Sequence, residues 1–132
     1  MTDDPNRFST KYLPVDINYV KADRDLIVTF DNGVVYKYPA EYLRVYSPSA
    51  EVQGHSPEQR KLVDGKSKIE IISIEPTGNY AIKLGFDDLH DTGIFSWQYL
   101  YKLGEEYDSR WAFYLAELDE AGKSRFATPS IK

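Results

Sequence analysis

The chain has 132 residues, a formal charge of −5, 42% hydrophobic side chains, 11 tyrosines and 6 phenylalanines. That is enough for one domain whose core hides roughly two-thirds of the unfolded surface. It is too apolar to stay unfolded and too acidic for broad nucleic-acid binding, which needs cations to displace phosphate counterions. Cysteine is absent, which excludes disulfides, thiolate zinc sites, cysteine-held iron–sulfur clusters and cysteine nucleophiles within the chain.

No apolar run reaches the ~20 residues of a membrane helix. The Met1-Thr2-Asp3-Asp4 start lacks the basic and apolar regions of a signal peptide, so a cytoplasmic protein without membrane contact is expected. Residues 1–14 are polar, with two prolines, and are expected as a flexible arm. Strands are predicted at 17–20 and 26–30, followed by Asp31-Asn32-Gly33. Asn-Gly suits the two positive φ angles of a type I′ turn. A two-residue loop of that type would set Phe30 opposite Val35 and Thr29 opposite Tyr36, with the return strand at 34–38. Pro39 suits the start of a short helix over 40–46, with Tyr42, Leu43 and Tyr46 on one side.

Residues 47–68 are the least regular, with Pro48, Pro57, Gly54, Gly65 and His55. Ser56 and Glu58 suggest a helical turn over 57–63. Arg60, Lys61, Lys66 and Lys68 read as a solvated loop, with an acidic partner as the alternative. The strand predicted at 69–74 has apolar residues on both faces near its end, as a central strand would. In Ala81–Phe86, Ile82, Leu84 and Phe86 alternate with Ala81, Lys83 and Gly85, the period of a strand with one buried face.

Residues 87–93 form a polar turn holding three aspartates and one of the chain's 2 histidines. Gly93-Ile94-Phe95 then reads as a short strand, Ser96 as N-cap of a helix over 97–103, and Gly104 as its C-cap. A last helix over 108–121 has Tyr107, Trp111, Tyr114, Leu115 and Leu118 at helical spacing. That stripe reads as core, with a partner-binding face as the alternative. Gly122 ends the helix, and residues 123–132 form a tail expected to fray. One domain over 15–122 results. Its class is α+β: a small, mainly antiparallel β-sheet with a hairpin, one intervening helix and C-terminal helices packed on it.

The acidic turn is the candidate chemical centre. Asp87, Asp88, His90 and Asp91 are hard ligands suited to iron or manganese. The same residue types also form turns and caps through local hydrogen bonds, which is the plainer reading. An oxygenase iron site needs two histidines and a carboxylate. His55 and His90 are the only histidines, and no His-x-Asp pair exists. Ser56 and Ser96 lack a nucleophile-elbow setting, and no glycine-rich loop is present to cradle phosphate. An enzyme is not expected.

Pro76-Thr77-Gly78-Asn79-Tyr80-Ala81, a strand, then Asp88-Leu89-His90-Asp91-Thr92-Gly93-Ile94-Phe95-Ser96-Trp97-Gln98-Tyr99-Leu100 resembles the gamma-butyrobetaine hydroxylase-like N-terminal domain, including its small stand-alone bacterial members. Pro39-Ala40-Glu41-Tyr42-Leu43-Arg44 matches the upstream part of the pattern, and the similarity spans about residues 16–103. In the hydroxylases this domain holds zinc with three cysteines and the turn histidine. Residue by residue, the cysteine positions fall on Ser47, Ser49 and Val52, and the histidine on His90. Hydroxyls and a valine do not replace thiolates. The resemblance therefore implies that the zinc site is lost, that no cofactor is held, and that His90 donates a hydrogen bond toward the 47–49 loop.

The family turn has glycine where Leu89 stands, so Leu89 would be strained if that position needs positive φ. The small bacterial members also share a Gly-His-x-Pro-x-Gln stretch, here Gly54, His55, Pro57 and Gln59, a candidate partner contact. Relatives occur fused to hydroxylases and to iron–sulfur assembly ATPases. The resemblance thus implies a non-enzymatic accessory or protein-interaction module with an unidentified protein partner. The alternative is a small metal-binding protein that uses His90 and the acidic turn, linked to iron–sulfur protein assembly.

Overall fold

Alternation of apolar and polar residues places six strands in the chain, and the structure, a computed structural model describing residues 11–126, sorts them into two sheets. β1 (Pro14–Val20), β2 (Asp25–Phe30) and β3 (Val35–Pro39) form one antiparallel sheet in that order. β4 (Ile71–Thr77), β5 (Ala81–Phe86) and β6 (Gly93–Ser96) form the other. The α+β class is as expected, but two three-stranded sheets replace the single sheet. The reason lies at the facing edges. β1 carries Pro14 and an irregularity between Pro14 and Asp16, and β4 carries Pro76 and one between Ile71 and Ser73. Such features blunt edge-to-edge pairing. Where the sheets meet, the Ile71 N–H donates to the Tyr19 hydroxyl at 3.2 Å, a side chain standing in for a ladder bond. β4 is therefore an edge strand and not a central one, and Ile72 is 64% exposed.

The β2–β3 hairpin corrects the expected register. Thr29 pairs with Val35 and Val28 with Tyr36, one residue away from a type I′ arrangement. The loop has three residues: Gly33 N–H donates to Phe30 O at 2.9 Å and Phe30 N–H to Val34 O at 2.8 Å. Gly33 has φ +86°, whereas Asn32 is not in the positive-φ region. Asn32 contributes through its side chain: Oδ1 accepts from Val34 N–H at 3.1 Å, and Nδ2 donates to the Tyr101 hydroxyl at 3.0 Å. A side-chain turn followed by a glycine bulge thus takes the place of two positive φ angles.

β3 runs directly into α1 (Ala40–Val45), with Pro39 at its N-cap. α2 (Ala50–Gln53) was not expected; Ser49 caps it by accepting from Glu51 N–H at 3.1 Å. The helical turn expected over 57–63 shrinks to a 3₁₀ turn, Pro57–Gln59, and the Ser56 side chain does not cap it. α3 (Trp97–Glu105) starts at Ser96, whose Oγ accepts from Tyr99 N–H at 3.0 Å. Gly104 lies inside α3 and is not its C-cap. A Cβ there would stand 2.3 Å from the Tyr36 ring, so glycine permits the close approach of α3 to β3. α4 (Tyr107–Ala121) ends at Gly122, whose φ of +68° lets Lys123 N–H bond back to Leu118 O. Along its stripe Tyr114 and Leu118 are buried, Tyr107 and Trp111 are half-buried against the core, and Leu115 is exposed.

Leu26, Val28 and Phe30 of β2 meet Ile82, Leu84 and Phe86 of β5 and Leu100 and Leu103 of α3 in one core. Buried tyrosines bring hydroxyls into it, and each finds a carbonyl. Tyr38 donates to Leu100 O at 2.6 Å, Tyr42 to Leu103 O at 2.7 Å and Tyr114 to Val63 O at 2.6 Å. An unpaired hydroxyl at such depth would cost about 1–3 kcal/mol.

Glu41, also buried, is held by Arg125 through contacts of 2.7 and 2.9 Å. Gly65 N–H and Ser67 N–H donate to Ser124 O and Arg125 O at 2.9 and 3.0 Å. Residues 124–126, expected to fray, are thus tied to the domain at Ser124 and Arg125. The rest of the expected tail (127–132) and most of the expected arm (1–10) lie outside the described residues.

Candidate functional site

The acidic turn is pinned at both ends by backbone bonds, Phe86 N–H to His90 O at 2.9 Å and Leu89 N–H to Phe86 O at 3.0 Å. Leu89 has φ +73° and is 86% exposed, so the position does take the left-handed conformation. Asp88 holds it there. Its Oδ1 accepts from His90 N–H at 3.1 Å, and its Oδ2 lies 2.8 Å from both Arg44 Nε and Lys66 Nζ. Burial alone would raise the Asp88 pKa, but the bonds from Lys66, Arg44 and the His90 backbone together lower it to about 2.

His90 is 5% exposed and both of its ring nitrogens are engaged. Nδ1 lies 2.9 Å from Glu51 Oε1, and Nε2 lies 2.8 Å from Ser47 Oγ. A carboxylate only accepts, so Nδ1–H donates to Glu51, and in the neutral ring Nε2 then accepts from the Ser47 hydroxyl. The expected contact between His90 and the 47–49 loop is present, and in the neutral ring the Ser47 hydroxyl is its donor. Burial, then the nearby Arg44, depress the imidazole pKa against the pull of Glu51 and Asp88, which favours the neutral ring. Ser49 Oγ bonds Thr92 Oγ1 at 2.6 Å, and Gln53 Nε2 donates to Ser47 O at 2.9 Å. A Cβ on Gly93 would stand 2.4 Å from Ser47 Oγ, so glycine lets β6 close over the serine.

Hydroxyl, imidazole and carboxylate stand in the order of a hydrolytic relay. Inspection of the sequence missed Glu51. Its only local signal is its place in the first turn after a serine cap, which marks a helix start and not a catalytic group. Ser47 Oγ is no nucleophile, because the residue is 0% exposed and no substrate carbonyl reaches it. The three groups act as a latch between α2 and the turn.

The metal-ligand set does not converge. Asp88 faces Arg44 and Lys66, both His90 nitrogens are engaged, and Asp87 and Asp91 are exposed. Among the described residues no three His, Cys, Asp or Glu side chains gather around one point. Of the positions aligned with the zinc cysteines, Ser47 abuts His90, Ser49 abuts Thr92, and Val52 is buried. Two hydroxyls and an alkyl group do not fit zinc.

The 54–59 loop is closed on itself. Gly54 has φ +67°, a Cβ there would meet Gln59 Cβ at 2.5 Å, and Gln59 Oε1 accepts from His55 N–H at 2.9 Å. Gly54 and Gln59 thus shape the loop, while His55, Pro57 and Glu58 are exposed on it. A cleft of about 360 Å³ opens between Tyr46, Gln53 and Arg60 on one side and the α3–α4 helices on the other, which contribute Tyr99, Arg110 and Phe113. The sequence contained no signal for it, because its walls come from residues as far apart as Tyr46 and Phe113.

The family model described as gamma-butyrobetaine hydroxylase-like, N-terminal, matches residues 17–101. The chain belongs to this family. Among solved structures, two determined by NMR are similar over nearly the whole chain. One is 48% identical, covers 91% of this chain and 94% of its own, and has a TM-score of 0.77. The other is 42% identical, with coverage of 94% and 92% and a TM-score of 0.78. A crystal structure from Acidithiobacillus ferrooxidans ATCC 23270, described as a protein of unknown function in the DUF971 family, is 33% identical. It covers 69% of this chain and 91% of its own, with a TM-score of 0.59. No curated protein matches. Among the described residues of this family member, no helix is long and apolar enough to cross a membrane.

Proposed function

We propose that the chain is a non-enzymatic accessory module that works in the cytoplasm by binding another protein. The observation that carries this reading is how the acidic turn uses its side chains. The best-placed ligands and the one hydroxyl–imidazole–carboxylate series are spent on internal bonds, with the serine fully buried. The turn therefore acts as scaffold. What the scaffold holds in place is a closed loop presenting His55 and Pro57 and, next to it, an aromatic cleft. Rigidly held surface loops of this kind are where recognition residues concentrate.

In this reading the module holds no metal, and iron or manganese at His90 with Asp87, Asp88 and Asp91 is the competing outcome. The test combines metal analysis of protein purified without a metal-affinity tag with thermal unfolding in chelator. We expect less than stoichiometric metal and an unchanged midpoint, because the core carries the stability without metal. Bound iron or manganese whose removal lowers the midpoint by several degrees would overturn the proposal. Immobilised chain should in turn retain a discrete protein from its native cytoplasm.

A further inference from the structure

The cleft between Gln53, Arg60 and the α3–α4 helices has the composition of a recognition site. Arg60 and Arg110 are its only charged lining residues, in a chain whose net charge is −5. Each guanidinium is fixed by one carboxylate. Arg60 Nη2 bonds Glu117 Oε2, and Arg110 Nε bonds Glu106 Oε1 at 2.8 Å. Among the described residues neither has a second hydrogen-bond partner, and none of their remaining nitrogens is sealed from solvent. A guanidinium has five N–H donors, so both arginines keep donors available while their side chains are held still.

The apolar part is just as specific. Tyr46 and Tyr99 spend their hydroxyls on Arg110 O and Tyr46 O, at 2.7 and 2.6 Å, which leaves ring surface toward the cleft. The Arg110 guanidinium lies 5.2 Å from the Tyr46 ring centre, a cation–π contact that steadies it. Phe113, on α4, is 57% exposed at the rim. Aromatic residues and arginines are the types enriched at protein interfaces relative to the rest of the surface.

We infer that this cleft binds an acidic peptide segment of a partner protein, with a carboxylate on Arg60 and Arg110 and an apolar side chain against Phe113. Free guanidinium donors match carboxylate geometry, so a carboxylate is the anion the two arginines can still bind beside Glu117 and Glu106. The assignment rests on the protein-binding role proposed above and names the chemistry of what is bound.

The test is an NMR titration of the isotope-labelled full chain with synthetic Glu-Glu-Phe-Glu-Glu, with Lys-Lys-Phe-Lys-Lys as the charge-reversed control. Saturable shifts confined to Tyr46, Arg60, Tyr99, Arg110 and Phe113 are expected with the acidic peptide and not with the basic one. Arg60→Gln should weaken binding about fivefold, the scale of one charge-assisted bond near a surface. Phe113→Ala, at an exposed position where folding does not depend on the ring, should weaken it by a similar factor. No shifts in the cleft, equal binding of both peptides, or binding unchanged in Phe113→Ala would each overturn the inference. A native partner whose retention survives Arg60→Gln and Phe113→Ala would leave the binding role standing and place it elsewhere on the surface. A chain that retains neither peptide nor protein removes both.

Discussion

The hairpin turn at Asp31-Asn32-Gly33 and the acidic turn after β5 both place a residue at positive φ, by opposite means. In the first, φ of +86° falls on Gly33, with nothing within 4 Å of where a Cβ would stand. The conformation comes from glycine and from an Asn32 bond to the amide two residues on. In the second, φ of +73° falls on an exposed leucine. That conformation costs an L-residue about 1–2 kcal/mol and is held by bonds from Arg44 and Lys66, brought in from other segments, to Asp88. The difference separates a turn that its own residues specify from one that its surroundings impose.

The largest effect expected on either turn is at the latch. His90→Ala removes two side-chain bonds and leaves the proton of the buried Ser47 hydroxyl without its acceptor, so stability should fall by about 2–3 kcal/mol in urea denaturation. Asn32→Ala, which removes its counterpart in the local turn, should cost clearly less; equal losses would erase the contrast.

Acid should act on the second turn first. The folded pKa of Asp88 is lowered to about 2, so its contribution is complete above the unfolded value of about 3.9. It is lost as pH falls from about 4 toward 2, on the order of 1–2 kcal/mol after allowing for partial exposure. The His90 pKa is also lowered, so its contribution is full above the ordinary histidine range and shrinks as pH drops through it. Asp88→Asn should flatten the acid limb of the stability profile, and an unaltered limb would show that the ion pairs add nothing.

Gly33→Val should cost about 1–2 kcal/mol, all of it backbone strain, because the site leaves room for the side chain. An unchanged denaturation midpoint would mean that the loop moves to another geometry freely. The smallest effect is expected for Leu89→Gly. Relief of strain offsets the greater entropy of unfolded glycine, so stability should stay within about 0.5 kcal/mol of the parent. A loss above 1 kcal/mol would show that the leucine side chain itself supports the turn.

Much of the framework was legible because it depends on near neighbours. Alternation in Ala81–Phe86, the Ser96 cap and the Gly122 stop each rest on residues a few positions apart. The Asn-Gly signal located the turn but misjudged its type, because the Asn32 amide bonds both Val34 and Tyr101 and so favours a three-residue loop. Gly104 looked like a helix stop, and only the packing of Tyr36 shows why glycine stands there. Resemblance placed His90 near Ser47, whereas Glu51, whose imidazole partner lies 39 positions away, had no signal specific enough to find.

The sequence by itself determined the six strands and the helices α1, α3 and α4, and that a cysteine-free chain offers no thiolate site. Those properties are additive over short windows and over composition. Tertiary structure alone decided that buried Ser47 and His90 join exposed Glu51 in one hydrogen-bonded series, that Asp88 holds Leu89 in a left-handed turn, and that Arg125 neutralises Glu41 from 84 positions away. It also decided that Arg60, Arg110 and Phe113 share a cleft. The physical reason is that a buried polar group accepts any partner of the right polarity within about 3 Å. Which residue arrives there depends on how the two sheets and the helices pack, and no short window of sequence carries that information.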